Sequence, residues 1–367
     1  MAIIDNPGAG GGGGGSVDET SALKYMLEHK TNYTGIAAGL TTLTELPAFT
    51  QPSGISVFSS MFDGCTALTT VPTLTYPSTG STEFRNMFRN CKNLVSIPAV
   101  DIGISSDTTS MFEGCTAMSG SFTTTRSSGT GSGDRMFYNC VGLTSISITA
   151  QSNGTGFNSC QAMFYGCAKV TNIEFPIYSS STSITNMASM CDGCGVLNTA
   201  TLRINPGVST ALFISKAGDM FRSCYNLTTV SVIKNSNSTV LAVDLSYCNS
   251  VSRMFYGCKK LASIPDIQNT KMVTNFNSMF YNCNVLTSVP QLDMSGASSS
   301  NSLQNFVSGC TSLTNTSLNN ILASLATWSG SANKTLKYIG LTSAQATTCT
   351  GLSNWSALSS AGWTTGY

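Results

Sequence analysis

One short motif repeats along most of the chain. It reads Met-Phe, any residue, then Gly, Asn or Ser, then Cys, and its copies lie 24 to 34 residues apart. After each motif Cys, apolar residues continue at every third position. Ten copies begin at Met61, Met87, Met111, Met136, Met163, Met190, Met220, Met254, Met279 and Phe306. Because one such unit cannot bury its own apolar residues, the repeat predicts a solenoid in which neighbouring units cover each other.

Equivalent segments of neighbouring units are expected to form parallel strands. Residues 69–74 and 95–100 would then lie side by side, about 4.8 Å apart. The strands should be very short, because a proline inside a strand removes a ladder hydrogen bond. These prolines are Pro47, Pro72, Pro98, Pro265 and Pro290. The Met-Phe segment is expected to form a helical turn or an irregular return on the other face.

The start of the stack is expected to have its own cover. Leu43, Leu46 and Phe49 repeat the spacing of the apolar residues that follow a motif Cys, which predicts a half-repeat. Ahead of it, Ser16 and Glu19 form a capping-box pair, which predicts a helix over residues 18–30. This helix would cover the exposed end of the solenoid, because terminal units need a cover. The alternative is a helix that mediates self-association in a fibre.

Four units are especially regular and carry a resemblance to a known family. They are MFDGCTALTTVPTL at 61–74, MFRNCKNLVSIPAV at 87–100, MFYGCKKLASIPDI at 254–267 and MFYNCNVLTSVPQL at 279–292. These stretches resemble BspA-like leucine-rich repeats, in the variant of about 26 residues found in bacterial surface proteins and bacteriophage-encoded proteins. The resemblance covers residues 43–318 and implies a right-handed, leucine-rich-repeat-like solenoid of about ten coils with short parallel strands. Ser121, Ala200 and Thr316 depart from it by occupying Ile or Val slots.

Four regions follow from these patterns. Residues 1–16 form a flexible, glycine-rich linker or anchor, residues 17–50 the N-terminal capping helix and half-repeat, and residues 51–318 the repeat solenoid. Residues 319–367, ending AGWTTGY, form a C-terminal cap. This last region is similar to the closing segment of phage-encoded members, so the resemblance implies a bacteriophage-encoded protein.

The first residues are not a secretory signal peptide by sequence. They lack both a cationic region and an apolar core, and an unbroken glycine run occupies positions 10–15. One interpretation is a flexible linker. The other is an anchor peptide that docks into another protein through Ile3, Ile4 and Pro7.

Composition excludes several classes of protein. Charged residues make up only 10% of the chain, against about 25% in ordinary soluble domains. The formal net charge is +1 and there is no basic block, so a nucleic-acid footprint is not expected. There is also no run of eighteen apolar residues, so no membrane span is expected.

Fourteen cysteines raise the question of disulfides or metal sites. Ten are motif cysteines, whose Cβ vectors in stacked units would run parallel, so a ladder of free, buried thiols is expected. Free thiols suit synthesis in a reducing cytoplasm. Cys191 and Cys194 have the spacing of half a zinc site, but no second pair has it. No metal or cofactor is therefore expected.

The sequence also argues against an enzyme. The lone histidine, His29, lies at the end of the predicted helix, where such a residue commonly stabilises terminal carbonyls. Asp63, Glu113 and Asp192 share the variable position after the Phe slot but lie two or more units apart. Neither a carboxylate pair nor a Ser-His-Asp arrangement is expected.

Two sets of residues remain as ligand-binding candidates. Tyr138 with Tyr165, and Tyr256 with Tyr281, occupy the variable position of adjacent units. They could form aromatic platforms for sugars or proteins, or stack against each other to shield the coil. The second set is Thr70, Asp266 and Gln291, on the outward side of the strand segments. That hydroxyl-rich face fits carbohydrate contact and mere solubility equally well.

Three functions are compatible with these expectations. The first is a non-enzymatic, virion-surface fibre or receptor-binding protein of a bacteriophage, attached to a capsid or tail protein by its N-terminus and recognising a glycan or protein on the host surface. The second is an adhesin on a bacterial cell surface. The third is a capsid or tail decoration protein without a ligand. Fibre proteins are often trimers, but no heptad repeat is visible.

Overall fold

Parallel strands and turns stacked on one another build this protein. The computed structural model describes residues 19–76, 82–97, 102, 105–126, 130–150, 156–178, 185–204, 211–234 and 239–367. Residues 1–18, with the predicted cap Ser16 and the predicted anchor residues Ile3, Ile4 and Pro7, lie outside these ranges. Wherever two of the described strands pair, they are parallel. The predicted parallel solenoid is confirmed.

Thirteen strands and four α-helices lie in the described ranges. The strands are β1 (Thr82–Glu83), β2 (Ser105–Asp107), β3 (Gly120–Arg126), β4 (Thr130–Ser132), β5 (Leu143–Ala150), β6 (Gly156–Ser159), β7 (Asn172–Ile177), β8 (Thr185–Asn186), β9 (Thr199–Ile204), β10 (Ala211–Lys216), β11 (Thr229–Lys234), β12 (Ala242–Asp244) and β13 (Ile267–Gln268). The helices are α1 (Glu19–His29), α2 (Asn315–Ala326), α3 (Ser343–Cys349) and α4 (Trp355–Ser360). A 3-10 helix spans Thr270–Met272.

The strands form two ladders that run along the stack. Strands that follow a motif Cys pair in the order β3, β5, β7, β9, β11, and we call this the post-Cys ladder. Strands that precede a motif Met pair in the order β1, β2, β4, β6, β8, β10, β12, β13, and we call this the pre-Met ladder. Five units contribute one strand to each ladder, joined through a Met-Phe turn, and their motifs begin at Met111, Met136, Met163, Met190 and Met220.

Proline decides where the post-Cys ladder forms. Residues 69–74 contain Pro72 and form no strand, although the Thr69 N–H still donates to the Thr44 carbonyl at 2.9 Å. In the middle of the chain the equivalent strands are six to eight residues long, so the expectation of very short strands is wrong there. The reason is that these segments lack the interior proline, with the exception of Pro176 in β7. Residues 98–100 lie outside the described ranges.

Each Met-Phe turn has left-handed backbone at two positions, the residue before Met and the residue before Cys. In the first copy these are Ser60, with φ 56°, and Gly64, with φ 76°. The Met61 N–H donates within the turn to the Phe58 carbonyl at 3.1 Å. The Phe62 N–H instead donates to the next turn at 2.8 Å. Alternate N–H groups thus donate to carbonyls of their own turn and to carbonyls of the next turn. The motif's Gly, Asn or Ser adopts the left-handed conformation before Cys.

The stack begins earlier than the sequence predicted. Gly35 and Gly39 have positive φ at the same four-residue spacing as the later turns. The Ala37 N–H donates to the Met61 carbonyl at 3.0 Å, and the Gly39 N–H to the Asp63 carbonyl at 2.7 Å. A complete turn therefore precedes the predicted half-repeat at 43–49. It was missed because it lacks the Met-Phe pair and has Leu40 in the Cys slot.

The core is a continuous column of apolar side chains. Phe side chains of adjacent turns stack with ring centroids 5.3 to 5.8 Å apart, from Phe62 to Phe164 and again from Phe221 to Phe280. Cys191 occupies the Phe slot between these two stacks. Helix α1 matches the helix predicted at 18–30 and buries Leu23 and Leu27 in the same core. Within the described ranges, none of the helices combines the length and the apolar character that crossing a membrane requires.

Candidate functional site

The motif cysteines have a structural role in every copy. Each thiol donates a hydrogen bond to the carbonyl of the Phe slot in the preceding turn, over 2.9 to 3.2 Å. Cys91, for example, donates to Phe62 and Cys310 to Phe280. All fourteen cysteines are free and buried. The predicted ladder of free, buried thiols is confirmed.

Burial keeps these thiols protonated and therefore unreactive. It raises the pKa of Cys65 to about 11 and that of Cys140 well above its ordinary value. Cys191, whose spacing from Cys194 suggested half a zinc site, is fully buried and its pKa is also raised by burial. A protonated thiol is a poor nucleophile and a poor metal ligand. In the part of the chain that the structure describes, no group of three or more His, Cys, Asp or Glu residues could hold a metal ion.

The lone histidine caps a helix. His29 Nδ1 lies 2.9 Å from the Tyr25 carbonyl, to which it donates when that nitrogen carries the proton, and the two rings stack at 4.2 Å. Both side chains are exposed at the end of α1. This geometry agrees with the stabilising role that the sequence suggested for His29.

The candidate tyrosines form two stacked pairs. Tyr138 and Tyr165 have ring centroids 4.6 Å apart with planes 6° from parallel, and Tyr256 and Tyr281 have the same separation at 7°. All four side chains are half-buried, and the guanidinium of Arg135 lies 3.8 Å above the Tyr138 ring. One ring face of each tyrosine is thus covered by its partner, as the shielding interpretation requires. Ligand binding by these tyrosines stays a prediction.

Acidic residues at the variable position are paired with arginines. Arg89 Nε donates to Asp63 Oδ1 at 2.9 Å, and Arg135 Nε donates to Glu113 Oε2 at 2.9 Å. Burial alone would raise the pKa of Glu113, but hydrogen bonds from Arg135 and Ser110 outweigh it and hold that pKa below its ordinary value. Neighbouring turns are therefore cross-linked by charge along this edge of the solenoid.

A second charged cluster joins three later turns. Arg253 Nε donates to Asp219 Oδ1 at 2.8 Å, and Arg222 Nη1 donates to Asp192 Oδ2 at 3.4 Å. Burial raises the pKa of Asp192 above its ordinary value, although Arg222 acts in the opposite direction. Asp63, Glu113 and Asp192, which the sequence left unpaired, are therefore all parts of ion pairs.

The second predicted set lies outside the post-Cys ladder, in the first, eighth and ninth copies of the repeat. Asp266 and Gln291 occupy equivalent positions of adjacent units, and Gln268 Nε2 donates to Asp266 Oδ2 at 2.6 Å. Thr70 belongs to the first copy of the motif, so the units of the post-Cys ladder separate it from the other two. All three side chains are exposed, and none lies on a strand.

The middle of the chain holds an ordered surface that the sequence analysis did not predict. Strands β3, β5, β7, β9 and β11 place outward side chains in two register-matched rows. Eight of these ten positions carry six hydroxyl residues and one charged pair, and the other two carry Pro176 and Ile233. The eight polar residues together we call the hydroxyl face: Thr123, Thr125, Ser147, Thr149, Thr201, Ser231, Glu174 and Arg203. The signal was available as alternation of apolar and hydroxyl residues, as in Ile146, Ser147, Ile148 and Thr149.

Hydroxyl groups beside this face are already engaged. Thr171 Oγ1 donates to the Thr144 carbonyl at 3.2 Å, and Thr199 Oγ1 donates to Asn172 Oδ1 at 2.6 Å. In contrast, the six hydroxyls of the hydroxyl face make no side-chain hydrogen bond within the described ranges. Each hydroxyl therefore keeps a donor and acceptor positions for another molecule.

Two family models match the chain. One, described as the BspA type leucine rich repeat region, matches residues 41–162 in six copies. The other, described as Mycoplasma protein of unknown function, DUF285, matches residues 158–288 and 217–327. Between them the matches run from residue 41 to residue 327.

Two solved structures are similar to the chain. One is a leucine-rich repeat protein from Bacteroides ovatus ATCC 8483, at 16% identity over 77% of this chain and 74% of its own, with a TM-score of 0.33. The other is a leucine rich cell surface protein from Faecalibacterium prausnitzii A2-165, at 18% identity over 62% of this chain and 61% of its own, with a TM-score of 0.27. No curated protein matches the chain.

Proposed function

Residues 41–162 consist of BspA-type leucine-rich repeats, and from this premise we propose that the chain is a non-enzymatic recognition protein. Its solenoid is presented on a surface and binds a glycan or a protein. The ion-paired carboxylates and the protonated, buried thiols support a function without covalent chemistry.

The hydroxyl face is the observation that carries this proposal. A recognition surface needs polar groups held in fixed positions and left free for a partner. Thr123, Ser147 and Thr201 lie in one register-matched row on hydrogen-bonded strands, and their hydroxyls are unengaged within the described ranges. The rigid ladder behind them limits the entropy lost when a ligand binds.

The proposal extends to the ends of the stack. It comprises about ten coils in a right-handed arrangement, with α1 covering one end and residues 319–367 the other. Burial of Leu23 and Leu27 supports the first cover. The second is supported by hydrogen bonds from the Asn305 N–H to the Tyr338 carbonyl and from the Val307 N–H to the Ile339 carbonyl.

The proposal also concerns where the solenoid is displayed. We favour the surface of a bacteriophage virion, to which residues 1–16 attach the chain as a fibre or receptor-binding protein, because of the similarity of residues 319–367 to phage-encoded members. The alternatives are a bacterial cell surface, with the chain acting as an adhesin, and a virion on which the chain is decoration without a ligand.

Binding assays with labelled protein can distinguish display on a phage virion from display on a bacterial cell. The intact chain and a variant lacking residues 1–15 would be incubated with bacterial cells and with phage particles that lack this protein. Cell binding by both, with only the intact chain joining particles, is the expected result. Cell binding without particle binding would favour the adhesin, and particle binding alone would favour decoration. Binding to neither would overturn the recognition function.

A further inference from the structure

Resting on the recognition function above, we propose that the hydroxyl face binds a neutral polysaccharide whose chain runs across the strands of the post-Cys ladder. The candidate ligand is thus a sugar polymer that carries no ionised groups.

The hydroxyls repeat at a fixed interval along the ladder. Register pairs Thr123 with Ser147, Ser147 with Glu174 and Glu174 with Thr201 on successive strands. Ser231 continues the row on β11. Adjacent strands lie about 4.8 Å apart, so the row offers a polar group at each such step. A sugar polymer likewise presents its hydroxyls at a regular interval along its chain, and a periodic row can meet it at several points at once.

Alternate residues of the same strands fix the row in place. Phe122, Ile146 and Leu202 lie beside the outward residues and are buried in the core. The outward side chains therefore project from strands that are held on their inner side by packing and along their edges by backbone hydrogen bonds. Thr and Ser also lose little side-chain entropy on binding compared with long polar side chains.

The free hydroxyls suit sugars in hydrogen-bonding terms. Each Ser or Thr hydroxyl offers one donor and two acceptor positions, which is the inventory of a sugar hydroxyl as well. Hydroxyls on the neighbouring row are used to join one unit to the next, as in the 2.8 Å bond from Ser145 Oγ to Ser121 Oγ. Those of the hydroxyl face are not used in this way within the described ranges.

The charge of the face favours a neutral ligand. Among the outward residues of the post-Cys ladder, Glu174 and Arg203 are the charged side chains, and they form an ion pair with each other. Their charges cancel, so an acidic polymer gains no net attraction and must approach Glu174. With 38% and 28% of these side chains exposed, the carboxylate can still accept and the guanidinium still donate to sugar hydroxyls.

The experiment measures polysaccharide binding by the full chain. The probes are the neutral polymers dextran, mannan and xylan, with polygalacturonate as the acidic comparison. The test variant is Thr123→Ala/Ser147→Ala/Thr201→Ala, which removes three hydroxyls of one row. The matched control is Thr42→Ala/Ser53→Ala/Ser356→Ala, which removes three exposed hydroxyls that lie outside the post-Cys ladder. Melting temperatures equal to that of the unsubstituted chain would establish that both variants are folded.

Saturable binding to at least one neutral polymer is expected, with a Kd at least about tenfold weaker for the test variant and unchanged for the control. Periodate treatment of that polymer, which cleaves vicinal diols, should abolish binding. Preference for polygalacturonate, equal binding by the test variant, or binding to none of the neutral polymers would overturn the inference. So would self-association that the test variant loses in sedimentation, since the face would then bind a second copy of the chain.

Cell binding distinguishes failure of this inference from failure of the proposed function. If the intact chain binds cells and the test variant binds them equally well, recognition stands and the hydroxyl face is not its site. If neither the chain nor the variant binds cells or particles, the recognition function itself fails.

Discussion

The motif Cys is best understood through the carbonyl that its thiol meets. The Phe62 carbonyl accepts the Cys65 N–H within its own turn at 3.0 Å. The same carbonyl accepts the Cys91 thiol from the next turn, also at 3.0 Å. A carbonyl oxygen has two lone pairs, and both are therefore used. Cys fits the slot because it is small, largely apolar and still able to donate.

Truncating one motif Cys should cost more than truncating a buried Cys elsewhere. Cys140 donates to the Phe112 carbonyl at 3.1 Å, whereas Cys349 is equally buried and its thiol has no such bond within the described ranges. Both Cys140→Ala and Cys349→Ala lose apolar burial, but only the first loses a hydrogen bond. We expect Cys140→Ala to be less stable by about 1 kcal/mol more in urea titrations. Equal losses would argue that the thiol bond contributes nothing.

Stability should fall in mildly alkaline solution because of the thiols. Burial raises the pKa of Cys65 and of Cys349 to about 11, so these thiols stay protonated in the folded chain. In the unfolded chain they ionise above about pH 8.5. The unfolded state then binds fewer protons, so the free energy of unfolding decreases with rising pH. The contribution is complete below about pH 8.5 and is lost toward pH 11. Urea midpoints that stay level between pH 8 and 10 would contradict this.

At the scale of the element, the residue before the motif Cys follows a size rule. It has a positive φ in every turn, and a residue larger than Gly is always followed by Gly in the next turn. The series reads Gly39, Gly64, Asn90, Gly114, Asn139, Gly166, Gly193, Ser223, Gly257, Asn282 and Gly309. A Cβ on Gly309 would lie 3.1 Å from the Asn282 Cα and closer still to its side-chain oxygen. Stacked turns thus require Gly after each Asn.

Two glycines with the same φ test this rule. Gly309 and Gly193 both have φ of +80°, but the nearest atom to a Cβ on Gly193 is the Gly166 Cα at 3.7 Å. Both alanine variants should lose about 1–2 kcal/mol from the left-handed conformation. Gly309→Ala should lose more, because Asn282 must also move. Adding Asn282→Gly should remove this extra loss of stability, as measured by urea titration. If the extra loss persisted in the double variant, the steric explanation would be refuted.

The sequence predicted those elements whose cause lies inside one unit. The solenoid follows from the apolar period, and the buried thiols follow from the recurrence of Cys at one position. Strand length could not be predicted in the same way, because it depends on pairing with both neighbouring units. Residues 143–150 pair with β3 and with β7, and β7 is a strand although it contains Pro176. The first turn was missed because Gly35 and Gly39 keep the backbone of the motif without its side chains. The hydroxyl face emerged only from the register between strands.

For the molecule as a whole, each unit touches only the units before and after it. The stability of such a stack is approximately a sum of unit and interface terms, so damage at one end should remain there. Helix α1 is the first element of the described stack. Tyr33, which follows the helix, donates from Oη to the Leu27 carbonyl of α1 at 2.6 Å. The two Phe stacks on either side of Cys191 are further grounds to expect independent behaviour of the two halves.

Loss of the helix contact should loosen the first units alone. Leu27 is fully buried, and Leu27→Ala should cost about 2–5 kcal/mol at that end. Hydrogen exchange measured by mass spectrometry should accelerate over residues 33–65 and stay unchanged over residues 279–310. Tyr25→Ala, on the exposed side of the same helix, serves as the control and should alter neither region. Faster exchange throughout the chain would instead indicate that the solenoid opens as a single unit.

Alternation of Asn and Gly before the motif Cys also restricts how such a gene can gain or lose repeats. Removing the unit at residues 111–135 would bring Asn90 next to Asn139, so that two side chains would compete for the space of one. Removing the unit at residues 163–189 would bring Asn139 next to Gly193, which the backbone accepts. Units that look interchangeable by sequence therefore differ in their permitted neighbours, and recombination within the array must preserve the order of large and small residues as well as the reading frame.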